Sequence, residues 1–179
     1  MASILKFDQW QSTAGVNQGT VLQVVQADDL DYRSFSAAAG SNTDWVYATI
    51  TRKLATSKIM VVFSGGYASS TNADTATKLF SSLDGYIGAG SNSAITQSVS
   101  SPGTDKGIAQ TAGSGTYSVI PSAFSYLYTP SNTSLIITLT VRIYTEGAQT
   151  VYPNGDGWRG GGTQAHSVGA HLVLMEIGA

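Results

Sequence analysis

The stretch Leu135-Ile136-Ile137-Thr138-Leu139-Thr140-Val141-Arg142-Ile143-Tyr144 alternates with period two. Leu135, Ile137, Leu139, Val141 and Ile143 fall on one side, and Ile136, Thr138, Thr140, Arg142 and Tyr144 on the other. Side chains of a strand point alternately to its two faces, so the aliphatic face belongs in a core. Pro130-Ser131-Asn132 ahead of it is a turn signal. Upstream, Thr116 to Thr129 alternates in part and carries Tyr117, Phe124, Tyr126 and Tyr128. Thr20 to Gln26, Trp45 to Thr51 and Ser57 to Ser64 also read as strands. The third continues to Tyr67 if Gly65-Gly66 marks a bulge. Downstream, Gln149 to Tyr152 is a short strand closed by Pro153-Asn154-Gly155, and a Gly-rich loop runs to Gln164. Ser167 to Ile177 is the last strand. Residues 69–115 are rich in Ser, Asn, Gly and Thr. Two or three short strands are expected there, near Lys78-Leu79-Phe80 and Gly85 to Gly88, with one helical turn over Ala73 to Phe80 as the alternative.

Composition supports the same class. The chain has 179 residues, of which 43 are Ser or Thr and 20 are Gly. These residues suit strands and turns. Charged residues are 11%, against about 25% in an average soluble protein. The hydrophobic share is 42% and the net charge -2, which excludes the composition of a disordered chain. A pI near 5.5 argues against a general electrostatic hold on nucleic acid. No cysteine is present, so disulfides and thiolate chemistry are excluded. No apolar run approaches a membrane span, the best being Ile59 to Phe63, and Met1 to Lys6 lacks a signal-type apolar core. The expectation is a soluble all-β sandwich of two antiparallel sheets: a head over 20–179, preceded by an N-terminal arm over 1–19.

The end of the chain carries a further message. His171-Leu172-Val173-Leu174-Met175-Glu176-Ile177-Gly178-Ala179 is apolar on both faces, where a terminus is normally frayed and polar. Such a strand is most stable when covered on both sides. Burial against neighbouring subunits would cover it, so an oligomer is expected.

Motifs of chemistry are sparse. Gly155-Asp156-Gly157-Trp158-Arg159-Gly160 spells G-x-G-x-x-G, but Gly161-Gly162-Thr163 cannot start the helix that a dinucleotide site needs. A β-β loop is the reading. His166 and His171, five apart on a strand, would face opposite ways, and no carboxylate nearby completes a zinc set. Symmetry copies meeting at a three-fold axis are the other metal option. Asp28, Asp29 and Asp31 form the one dense acidic cluster, read as a solvated turn because calcium-loop spacing is missing. No G-x-S-x-G elbow occurs, and the acids are too scattered for paired-carboxylate hydrolysis. No enzyme, cofactor or metal is expected. Trp158 and Arg159, with Tyr152 near in sequence, could stack on a sugar or contact a partner. Alternatively Trp158 plugs the sandwich end or seals a subunit contact. Asn132-Thr133-Ser134 is a formal glycosylation sequon, read as a plain turn.

Three stretches carry a resemblance. Ser3-Ile4-Leu5-Lys6-Phe7-Asp8-Gln9-Trp10-Gln11-Ser12-Thr13-Ala14-Gly15 resembles the opening of short structural proteins of tailed phages, especially marine and cyanobacterial ones. Leu54 to Val61 resembles their strand after a Pro- and Ser-containing turn, although Arg52-Lys53-Leu54 stands where Pro and Ser are usual. Leu172 to Ala179 resembles their closing strand. The resemblance implies a virion protein with a tumour-necrosis-factor-like jelly roll, assembled as a homotrimer in the host cytoplasm. Its last strand, with Leu172, Val173, Leu174, Met175 and Ile177, would pack at the trimer centre. The arm, with Leu5, Phe7 and Trp10, would anchor the trimer to another virion protein. Loops over 90–115 and 153–164 would face outward; no functional residue carries over from the family there, and Trp158, Arg159 and Tyr152 are candidates for meeting a host glycan or receptor on their own chemistry alone. The role implied is a tail fibre or fibre tip. The alternatives are a capsid decoration protein on the major capsid protein and a free carbohydrate-binding module.

Overall fold

The computed structural model of the chain describes residues 10–11, 17–71, 75–87, 109–111, 119–155 and 169–178. The alternating stretch is strand β11, Ile136–Thr145, and it organises one sheet. It pairs antiparallel with β5 (Ser41–Thr51) on one side and β7 (Thr75–Ser81) on the other. The short strands β8 (Gly85–Tyr86) and β9 (Ala109–Thr111) both lie along the far edge of β7. The other sheet is built on β6, Lys58–Ser69. One edge of β6 takes β10 (Ile120–Tyr128). Its other edge takes β13 (Ala170–Ile177) and, beyond it, β12 (Gln149–Pro153). Outside these run β3 (Val21–Asp29) against β13 and β4 (Phe35–Ala37) against β12. The arm contributes a two-stranded pair, β1 (Trp10–Gln11) with β2 (Asn17–Gln18). The chain is thus an all-β sandwich of antiparallel sheets in two layers.

Ile137, Leu139, Val141 and Ile143 are fully buried, as their alternation requires. They face Ile59, Val61, Phe63, Leu172 and Leu174 of the opposite sheet in one core. Trp45 meets Phe63 and Tyr67 edge to face, at 5.0 and 5.6 Å between ring centroids. Gly65 lies beneath it: a Cβ there would stand 2.9 Å from two indole carbons. The pairing of β6 with β10 is unbroken through Gly65 and Gly66, so the expected bulge is not there. Room for the indole, rather than a kink, explains Gly65.

The bulge is in β5 instead. Val46 pairs with Val141 and Asp44 with Arg142, so two residues of β5 are spanned by one step of β11. Trp45 is the inserted residue. It lets Trp45 and Val46 both turn inward, at 3% and 4% exposure, and turns Asp44 outward beside Arg142.

The alternative of a helical turn over Ala73 to Phe80 is also corrected: 75–81 is strand β7. Its inward residues include Thr75, Thr77 and Ser81, which are buried. Each finds a hydroxyl on the other sheet: Thr75 with Tyr67 and Thr77 with Ser122, both at 2.7 Å, and Ser81 with Tyr128 at 2.9 Å. Satisfied in this way, a half-polar strand costs little to bury.

Candidate functional site

Three places in the sandwich concentrate side chains beyond packing: a latched end, the base of the Gly-rich loop, and the two outward sheet faces. At the latched end, Glu176 of β13 is fully buried. Its carboxylate accepts from the backbone N–H of Lys53 (2.8 Å) and Leu54 (3.0 Å), the Ser57 hydroxyl (2.7 Å) and the Gln23 amide (2.6 Å). Burial alone would raise its pKa, but these donors outweigh it and lower it to about 2. Arg52, 2% exposed, donates to the carbonyls of Asn132, Ser134, Ala55 and Ser57. The turn between β10 and β11 is thereby tied to the turn between β5 and β6. Asp84 accepts from Tyr128 and Ser131 and joins the same end of both sheets. Burial and the Asp84 carboxylate push the Tyr128 phenol well above its usual range.

The opposite end carries the base of the Gly-rich loop. Beside Gly66, β12 ends at Pro153, and β13 resumes on the same edge with His171 opposite Ser64. Asn154 has a positive φ of 63° and is fully buried. Its Oδ1 accepts from Trp45 Nε1 at 3.0 Å, and its Nδ2 donates to the Asp31 carbonyl at 3.0 Å. Arg33 donates to the Trp45 carbonyl at 2.8 Å and pairs with Asp29 at 2.6 Å. Tyr152 is half-buried and stacks on Tyr32, centroids 6.5 Å apart.

The sequence-level site residues divide as follows. Trp158, Arg159, Leu5, Phe7 and His166 lie outside the described residues, and Trp10 is placed only as part of β1. Of the G-x-G-x-x-G spacing only Gly155, two residues after the end of β12, is described; residues 156–160 lie outside the described residues. Leu172 and Leu174 point into the chain's own core at 0% exposure. Val173, Met175 and Ile177 point the other way and are half-buried. The acidic cluster is drawn partly into β3, where Asp28 accepts from His171 at 2.7 Å and from Gln26. Gln26 and then His171 hold the Asp28 carboxyl below its usual range. Among the described residues no three His, Asp or Glu gather as metal ligands.

On the outward face of the first sheet, register aligns Val24, Met175, Met60 and Leu127 across β3, β13, β6 and β10. The next row is Gln26, Val173, Val62 and Ser125. Val24 is 58% exposed, Leu127 42% and Val62 37%. No charge stands in either row; the hydrogen-bonded Asp28–His171 pair lies one row further on.

The outward face of the second sheet is of another kind. Across β5, β11, β7 and β8 run Tyr47, Thr140, Phe80 and Tyr86. Arg142 lies with its guanidinium carbon 3.8 Å from the Phe80 ring centre. It pairs with Asp44 at 2.6 Å and donates to the Tyr86 hydroxyl at 3.2 Å. Asp44, Tyr47, Arg52, Arg142 and Glu176 carry no local sequence pattern that marks them as site residues. The Asn154-Gly155 turn was the one local signal for Asn154. Comparison of the chain with protein families and with curated proteins returns no match.

Proposed function

We propose that the chain is a non-enzymatic structural protein of a tailed-phage virion, a homotrimeric jelly-roll head on an N-terminal arm, acting at a tail fibre or fibre tip that meets the host surface. The virion assignment stands on the resemblance of residues 3–15, 54–61 and 172–179. The jelly-roll reading is supported by nested pairing: β3 with β13, β5 with β11, β6 with β10 and β7 with β9. Self-assembly is carried by one observation, the uncharged outward rows centred on β13. A contiguous apolar patch of that kind on a soluble protein marks a contact surface. The outer edge of β10, which pairs with no other strand among the described residues, adjoins it, and from Ile120 to Tyr128 that strand has no charged residue and one proline to discourage pairing. A neighbouring copy covers both.

Two measurements test the reading. Light scattering of the purified chain is expected to give three times the protomer mass, and a monomer at micromolar concentration overturns the assembly. Copy number in purified virus particles, counted against the major capsid protein, is expected to be a small multiple of three. Hundreds of copies would make it a capsid decoration protein, and its absence from particles would remove the virion assignment and leave a free carbohydrate-binding module.

A further inference from the structure

We propose that the outward face of the second sheet binds a neutral pyranose ring, at a site made by Tyr47, Asp44, Arg142, Thr140, Phe80 and Tyr86. The row order places short Thr140, 7% exposed, between the longer Tyr47 and Phe80. Strands lie about 4.8 Å apart, so two strand spacings, about 10 Å, separate the Tyr47 and Phe80 backbones. That width accepts a single sugar ring. Tyr47 is 65% exposed, the most exposed of the large hydrophobic side chains among the described residues, and offers an apolar ring with a polar tip. Opposite it, the Arg142 guanidinium is fixed by Phe80, Asp44 and Tyr86, so its donors are oriented before any ligand arrives. Asp44 is 61% exposed and presents acceptors beside those donors. Adjacent acceptor and donor groups match the vicinal hydroxyls of a sugar.

Charge selects the ligand class. The Arg142 charge is already balanced by Asp44, and an anionic ligand would have to displace or approach that carboxylate. The other cation placed on this face among the described residues, Lys78, is 2% exposed and sits 3.8 Å from the Tyr144 ring centre. The face therefore favours an uncharged polyhydroxylated ring over a phosphate, sulfate or acidic sugar. The β5 bulge puts Asp44 there: in unbroken register Trp45 would stand opposite Arg142, and Asp44 would face the core.

The inference rests on the surface-contact part of the proposed function, yet the two fail separately, because a glycan array reads the isolated full chain and particle copy number does not. Binding is expected to immobilised neutral glycans at near-physiological salt. Tyr47→Ala is expected to weaken it at least tenfold and Tyr47→Phe to keep most of it, both with unchanged melting temperature. Asp44→Asn is expected to weaken it and to admit acidic glycans. Three results would each overturn the site: no glycan retained, acidic glycans alone retained and released by salt, or neutral binding undiminished in a folded Tyr47→Ala.

Discussion

The two outward faces of the sandwich have the same architecture and opposite chemistry. On the β13 side, four strands bring Val24, Met175, Met60 and Leu127 into one row with no charge among them. On the β11 side, four strands bring Tyr47, Thr140, Phe80 and Tyr86 into a row flanked by an Arg142–Asp44 ion pair. Keeping an apolar face in water costs free energy, and keeping a face of charged and hydroxyl groups there costs less. The first face is thus suited to a permanent neighbour and the second to a reversible ligand. The difference is set by few residues, since both sheets share one core.

The largest expected effect strikes that shared core. Trp45→Ala removes the indole packed on Phe63 and Tyr67 and leaves Asn154 without its donor. A loss of about 3–5 kcal/mol is expected in urea unfolding. Gly65→Ala presses on the same ring from below and is expected to cost about 1–3 kcal/mol. If both variants unfold at the wild-type midpoint, the indole does not hold the sheets together.

Next comes a charge on one face against a charge on the other. Met60→Lys puts an ammonium in the middle of the apolar row and is expected to weaken self-association by about a hundredfold, or about 3 kcal/mol. Thr49→Lys, on the exposed outward side of β5, is expected to leave the assembled mass unchanged. Sedimentation equilibrium of the two variants decides it. Dissociation by Thr49→Lys with Met60→Lys intact would reverse the roles of the faces.

Glu176 ranks third, because it ties down the strand at the centre of the apolar face. Glu176→Gln keeps the shape but turns an amide NH2 toward donors, and is expected to cost about 2–3 kcal/mol at neutral pH. The sign of the pH effect follows from a carboxyl lowered from 4.5 to about 2. Its contribution is complete above about 4.5 and is lost as the pH falls toward 2. The gap between wild type and Glu176→Gln should therefore narrow with acid. A constant gap from pH 7 to pH 3 would assign the effect to the amide NH2 facing the donors rather than to the lost charge.

Much of this was legible in residues 135–144 and 171–179. The alternation of β11 and the two-sided apolarity of β13 follow directly from the pleat, and both stand in the fold. Three features were not. The strand expected near Lys78 to Phe80 is there, but its extent from Thr75 to Ser81 hid, because Thr75, Thr77 and Ser81 point inward and what satisfies them comes from Tyr67, Ser122 and Tyr128 on the other sheet. The β5 bulge hid because it exists only in the register with β11, so Asp44 and Trp45 could not be assigned to faces from their own spacing. Glu176 reads as a polar break in an apolar ending, while its donors at Lys53, Leu54 and Ser57 lie more than a hundred residues away along the chain. Long-range pairing, rather than local pattern, makes these sites.

The smallest expected effect falls on the second face and separates its geometry from its charge. Arg142→Lys keeps the positive charge opposite Asp44. It removes the flat group on Phe80 and the second donor that reaches Tyr86. An exposed ion pair by itself contributes little, so retaining the charge should retain little of the interaction. Loss of the stacked plane is expected to cost about 0.5–1 kcal/mol in stability. In binding it should cost more than in folding, because an ammonium on a flexible stem does not present two fixed donors. A variant with wild-type glycan affinity and wild-type stability would mean that the charge alone matters, and the face would then be an electrostatic patch rather than a shaped site.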